Sequence, residues 1–316
     1  MKVQPVTNSY KDHLHQQLDE ICKALSETAI LSYILDPEWC DRIRLEIEKY
    51  REDTVFSSTS ALIFLQLKHP FRGVPWFEKA QSTLLSGGIN ELDKDEKLAI
   101  GFMGLDPLKV YLPIWDERLT ALSKLSSIRD KVEMKLNQLR SSRFTPEFRN
   151  HFFEVLVLGF FALNGVLTDI DTEETMVDGV IDIDNREMLL EVTFTSQELL
   201  LDTPGVHAGD VNALLDQVIH KITKKVADGR QLALAQGVPT ILVFGLNRLG
   251  ADDVIFKIGM EACFEDLRFS KLSGVILSDS WKFIGTRFYQ SNRSQIPLSG
   301  KEFNLLKSWF YQRASD

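Results

Sequence analysis

Cysteine is scarce in this chain. There are three in 316 residues, Cys22, Cys40 and Cys263. They are too few and too scattered for a disulfide framework or a cysteine-based zinc site. A reduced, cytoplasmic setting is the expectation that follows. Long apolar runs are missing as well, and none reaches the length a bilayer requires, so no membrane association is expected. The opening MKVQPVTNSYKDHLHQQ has no apolar core behind its lysine and is not expected to act as a secretory signal. The chain lacks a GxxxxGK[ST] phosphate loop, a GxGxxG turn after a strand, a GxSxG elbow and an HExxH pair. Without a phosphate loop, Asp202-Thr203-Pro204-Gly205 reads as a turn. No internal repeat and no low-complexity tract is present.

What is there is ordinary for a globular protein: 44% apolar and 26% charged residues, which excludes wholesale disorder. The length suggests two domains, or one with a large extension. Residues 1–144 read as a helical domain. Leu14, Leu18, Ile21 and Leu25 recur at helical spacing. Asp36-Pro37-Glu38 sets an N-cap before proline and opens a helix to about Tyr50. Residues 61–67 are a short buried element of either type, and the breakers Pro70, Gly73 and Pro75 make 69–76 a loop. Asp116 to about Arg143 reads as one long helix. From residue 145 to 316 the pattern is mixed. Thr145-Pro146-Glu147 opens a helix that Gly165 ends. Two strands follow, 176–183 and 187–195, joined at Asp184-Asn185-Arg186. Then come a loop, a helix over 211–236, a strand at 239–245, a helix over 252–269, two more strands and a terminal helix over 300–312. The fold class expected is α/β (α+β), a mixed sheet flanked by helices, behind an all-helical N-terminal domain.

Charge is unevenly placed. The net charge is −9, and residues 151–191 alone account for it, with ten acids against Arg186. The flanks lean the other way: seven basic against three acidic residues over 121–150, and eight against three over 268–316. An acidic centre between basic flanks suits a cation-dependent phosphodiesterase, where metal fills the centre and lysines and arginines hold phosphates. Within the centre, Asp169 to Glu174 reads as a solvated acidic loop.

Three carboxylates stand apart. Glu154 lies inside FFEVLVLGFFAL, where a buried carboxylate needs an ion pair, hydrogen bonds or a metal. Both the structural ion pair and the metal ligand remain open for it. On the strand Leu189 to Thr193, Glu191 and Thr193 share one face; Asp178 and Asp182 share a face of the preceding strand. A hairpin sets these acids side by side, and converging carboxylates suit Mg²⁺. The plain alternative is a hairpin with acids on its wet side. Trp76, Trp281 and Tyr289 fit core packing better than base stacking, and His207 and His220 read as surface residues.

Val177-Asp178-Gly179, followed eleven residues later by Glu191-Val192-Thr193, resembles the PD-(D/E)xK core of restriction-endonuclease-like nucleases. The resemblance covers about residues 145–290. It implies Glu154 as the helix acid, Asp178 as the first-strand acid and Glu191 as the second-strand acid, with Asp182 as a further candidate ligand. It implies Mg²⁺, with Mn²⁺ as an alternative, and hydrolysis of phosphodiesters in nucleic acid, DNA ahead of RNA. The chain departs from the pattern twice. Val177 replaces a proline, and Thr193 stands where the lysine belongs. The missing cation is expected from the 211–236 helix, whose row Gln217, Lys221, Lys225 borders its apolar stripe. Lys225 is the first candidate and Lys221 the second; Lys224 points away. The alternative for these lysines is a wet helix face. Gln217 and Thr193 are candidate substrate contacts. The helical domain is expected to engage substrate, a partner, or a second copy of the chain as a homodimer. The rival expectation is a catalytically silent interaction protein that keeps the fold.

Overall fold

The structure, a computed structural model, describes residues 8–48, 107–145, 147–170, 177–194, 219–220, 223, 237–246, 260–279 and 287–311. The chain divides into two units. One comprises Met1–Thr120 and Met134–Phe152, the other Ala121–Glu133 and Phe153–Asp316. The 61–76 segment and nearly all of the 211–236 helix lie outside the described residues.

The first unit is helical. Its α1 (Asn8–Ser26) and α3 (Pro37–Glu48) follow the sequence reading, and between them lies a one-turn helix, α2 (Leu31–Ile34), that the reading does not contain. Leu18, Ile21 and Leu25 are buried together with Trp39 and Ile43 of α3. Asp36 caps α3 by accepting from the Trp39 N–H at 3.3 Å, as its place before Pro37 predicts. The cysteines depart from expectation. Cys22 of α1 and Cys40 of α3 form a disulfide. Eighteen positions of separation look scattered in sequence, but α1 and α3 pack on each other and bring the two Cα atoms to 6.3 Å. The cysteine count therefore no longer argues for a reduced compartment.

The long helix expected from Asp116 to Arg143 is two helices, α4 (Pro107–Ser123) and α5 (Arg129–Ser141), with a 3₁₀ turn at Ser126–Ile128 between them. Leu125 is extended (φ −72°, ψ 95°). The serines after it favour turns and caps over helix interior, and that overrides the apolar period. Asp116 reaches from α4 to the start of α2. Its carboxylate accepts from the N–H groups of Ala29 (2.9 Å), Ile30 (2.8 Å) and Leu31 (2.9 Å), the last two at the helix start, where N–H groups have no partner within the helix.

The next helix, α6 (Phe148–Leu163), is buried along nearly its whole length from Phe152 to Phe161. It ends where Gly165 takes the left-handed conformation (φ +72°), which costs glycine nothing. In the second unit six strands form one mixed sheet: β1 (Leu167–Ile170), β2 (Gly179–Ile183), β3 (Arg186–Phe194), β4 (Thr240–Leu246), β5 (Gly274–Asp279) and β6 (Arg287–Gln290), in that spatial order. The pairs β3/β4 and β4/β5 are parallel and the others antiparallel. The mixed sheet and the β2–β3 hairpin match the sequence reading; β1 does not appear in it, because four residues carry too little period to read.

The two central parallel strands are apolar without alternation, and Ile241 to Phe244 of β4 and Val275 to Leu277 of β5 are buried throughout. That is the pattern of strands covered on both faces. On one face, a β-carbon at Gly179 would meet Leu158 and one at Gly245 would meet the Phe153 ring, so α6 lies against this face. On the other, Leu242, Phe244, Val275 and Leu277 pack with Met260, Cys263 and Phe264. Tyr289 packs there too, in keeping with its reading as a core residue. The last helix, α7 (Gly300–Tyr311), sets Trp309 edge-on against Phe160 and Phe161.

Candidate active site

The β2–β3 turn decides where the acids go. Asp184 and Asn185 both have positive φ (61° and 62°), so the turn is a two-residue one whose twist suits the hairpin. Arg186 belongs to β3 and pairs with Ile183. The register then runs Asp182 opposite Glu187, Val180 opposite Leu189 and Gly179 opposite Leu190. One step further along the same register, Asp178 falls opposite Glu191.

A hydrogen bond fixes that step. β2 begins at Gly179, so among the described residues β3 beyond Leu190 has no ladder partner on that edge. The Val192 N–H, which points to this edge, donates to Asp178 Oδ2 at 2.6 Å. The carboxylate takes the place of a ladder carbonyl and is held beside the Glu191 step. Because the N–H and C=O of one strand residue point the same way, the Val192 carbonyl faces the same gap. Glu191 is 2% exposed, and its Oε2 is closed off from solvent. Thr193 is half-buried, two residues on and on the same face, in register with Phe244.

The other candidates are placed differently. Asp182 lies four residues from Asp178, roughly 13 Å along the strand, and faces Glu187; the structure does not bring it to the Asp178–Glu191 pair. Glu154 is half-buried with Oε1 closed off from solvent. It sits on α6 between Phe153, whose ring lies 5.8 Å from that of Phe194, and Leu158, which covers Gly179. That is the face opposite Glu191 and Thr193. Lys221, Lys225, Lys224 and Gln217 lie outside the described residues. Asp169 is held by Lys131, whose Nζ donates to both carboxylate oxygens at 2.7 and 2.9 Å. The expected solvated loop therefore does not include Asp169, which lies in β1 and is ion-paired; residues 171–174 lie outside the described residues.

Among the described residues no three His, Cys, Asp or Glu side chains gather closely enough to hold a metal ion. What the register and the Val192–Asp178 bond set at neighbouring positions of the hairpin is Asp178, Glu191 and the Val192 carbonyl. These are hard oxygen donors, and Mg²⁺ is commonly held by one or two carboxylates with water and phosphate oxygens completing its shell. The donor set therefore suits a hard divalent cation and no soft one.

The far end of the hairpin is anchored by α7. Ser299 and Glu302 cap each other: the Ser299 N–H donates to Glu302 Oε2 at 2.6 Å, and the Glu302 N–H donates to Ser299 Oγ at 3.2 Å. This reciprocal box was legible as Ser-x-x-Glu before an apolar run, and the sequence reading passed over it. Arg186 donates to the same Glu302 carboxylate at 3.2 Å, and Lys301 pairs with Asp184 in the turn. Glu302 is 3% exposed, so this pair is screened little by solvent. The missed anchor nearer the site is the Val192 N–H. It was recoverable from the Asp-Asn dipeptide, because a two-residue turn there forces residue 178 opposite 191.

Comparison of the chain with family models, with curated proteins and with solved structures finds no match.

Proposed function

We propose that the protein is a metal-dependent nuclease that hydrolyses phosphodiester bonds in DNA, with the hairpin at Asp178 and Glu191 as its centre. The observation that carries this reading is the 2.6 Å bond from the Val192 N–H to Asp178, which holds one carboxylate in register with another that is buried. Retaining a buried Glu beside an Asp is costly in a scaffold that needs only to fold. It is useful in one that binds a cation. The local resemblance to the PD-(D/E)xK core supports the same reading. When bound, Mg²⁺ or Mn²⁺ supplies Lewis acidity towards the phosphodiester. Asp178 and Glu191 orient the cation, the Val192 carbonyl lends a neutral oxygen, and Glu154 is a third acid, on α6. Thr193 contacts substrate, together with Gln217. Lys225, or Lys221 in its stead, neutralises charge on the phosphate, a contribution worth on the order of 10²–10³ in rate.

The test is incubation of the full chain with plasmid, linear and single-stranded DNA and with RNA, in Mg²⁺ or Mn²⁺ and in EDTA. Cleavage of DNA that stops with EDTA is the expected result. Asp178→Asn keeps an oxygen for the Val192 N–H but removes the charge, so it should fold normally and lose activity. Cleavage undiminished in both Asp178→Asn and Glu191→Gln would end the reading. A second reading, a silent interaction protein on the same scaffold, is favoured by Thr193 in the lysine position. It predicts no cleavage of any nucleic acid and no rise in thermal midpoint with either cation, since a ligand that binds only the folded state must stabilise it.

A further inference from the structure

The Cys22–Cys40 bond is placed where a reducible bond belongs. The two cysteines differ in setting. Cys22 is half-buried on α1, the more exposed residue of the pair and the side from which a thiolate would approach. Cys40 is 7% exposed and sits in the first turn of α3, which begins at Pro37. A helix N-terminus stabilises a thiolate, and a better-stabilised thiolate leaves faster in exchange. Attack at the more exposed residue and departure from the helix start is the sequence such a pair favours. The nearby acids work against it only partly, because Glu38 is held by Arg143 at 2.9 Å and Asp36 is engaged by Arg143 and by its own cap. Apolar packing accompanies the sulfurs: α1 and α3 are in contact, and Leu18, Ile21 and Leu25 of the one and Trp39 and Ile43 of the other are buried. The third cysteine, Cys263, is in no disulfide and is buried in the core cluster of the sheet.

We propose that Cys22–Cys40 is a reversible redox lock on the helical unit, opened by a dithiol reductant of the thioredoxin class. A thiolate of the reductant attacks Cys22 Sγ, the Cys22–Cys40 bond breaks and Cys40 leaves as the thiolate. The second thiol of the reductant then attacks the mixed disulfide and releases Cys22. The reductant ends as its own disulfide, two electrons pass to this chain, and protons from solvent complete the two thiols. The lock closes a loop of 18 positions that contains all of α2, and opening it returns that loop's freedom to the unit.

The test uses the full chain in native buffer with dithiothreitol or a thioredoxin-class protein, followed by intact mass after alkylation and by amide exchange. Expected is the loss of one disulfide, regained on reoxidation. Exchange in α1, α2 and α3 should rise on the order of 100-fold while β3, β4 and β5 stay protected. Cys22→Ser should reproduce the reduced pattern without reductant and become indifferent to it. Three free thiols in the untreated protein would overturn the proposal. So would a bond that yields only after denaturant is added, or a reduction that unfolds the sheet along with the helices.

Discussion

Both units have a buried apolar core, but the helical unit adds a denser set of directed contacts and a disulfide between distant segments. In the sheet, β4 and β5 are apolar and buried on both faces, and each such side chain contributes roughly 1.5–3 kcal/mol by leaving water. In the helical unit, distant segments are joined by directed polar contacts. Asp116 caps residues 29 to 31, Arg143 bridges to Asp36 and Glu38 at 3.2 and 2.9 Å, and a disulfide crosses from α1 to α3. Guanidiniums also lie over rings, Arg42 and Arg143 on Phe144 at 4.2 and 4.6 Å and Arg140 on Tyr33 at 4.3 Å. A unit held by burial answers to volume. A unit that adds charges and a disulfide to its core answers also to salt, pH and redox state.

The largest expected effect belongs to the sheet. Phe153 is 2% exposed and its ring fills the space left by Gly245. Phe153→Ala should destabilise the protein by about 3–5 kcal/mol in denaturant titrations, equally at low and high salt; a salt-dependent loss would blur the contrast. Next comes the polar cap. Asp116→Ala strands three donors at once and should cost about 3 kcal/mol, whereas Asp116→Asn, which keeps oxygens but not charge, should recover part of it. Arg143→Ala should cost about 1–2 kcal/mol, and that cost should shrink in molar salt; a loss unchanged by salt would assign the residue to packing on Phe144 instead.

The smallest effect is a pH response. His151 bonds through Nδ1 to Ser142 Oγ at 3.0 Å and through Nε2 to Gln138 at 3.2 Å. Burial, and then the positive charge of Lys135, push its pKa below the usual 6.5; Glu147 opposes them. A histidine whose pKa is lower folded than unfolded binds its proton more readily in the unfolded chain. Its contribution is therefore complete above pH 6.5 and is lost as pH falls from there towards the lower folded value. Midpoints measured across that range should flatten in His151→Gln.

Much of this was legible in the residues. The hairpin, the buried strands at 240–246 and 274–279 and the cap at Asp36 follow from period and turn chemistry that act locally. The break at Leu125 was not legible, because a leucine at the right spacing looks helical until the serines after it are weighed. Nor was the disulfide, since nothing in the spacing of Cys22 and Cys40 says that α1 and α3 pack on each other. At the candidate site, the acids could be named from sequence, but which of them meet depends on whether the turn holds two residues or three. That single residue separates Asp178 beside Glu191 from Asp178 beside its neighbour, on the other face of the strand.

The link between Arg186 and Glu302 spans 116 residues of chain. A ribosome adding 5–20 residues each second needs on the order of ten seconds to cover that distance. Throughout that interval the nascent hairpin has its turn and its partner strand but lacks the clasp that α7 brings to Arg186 and Asp184. The register that sets Asp178 against Glu191 is thus made early and secured late.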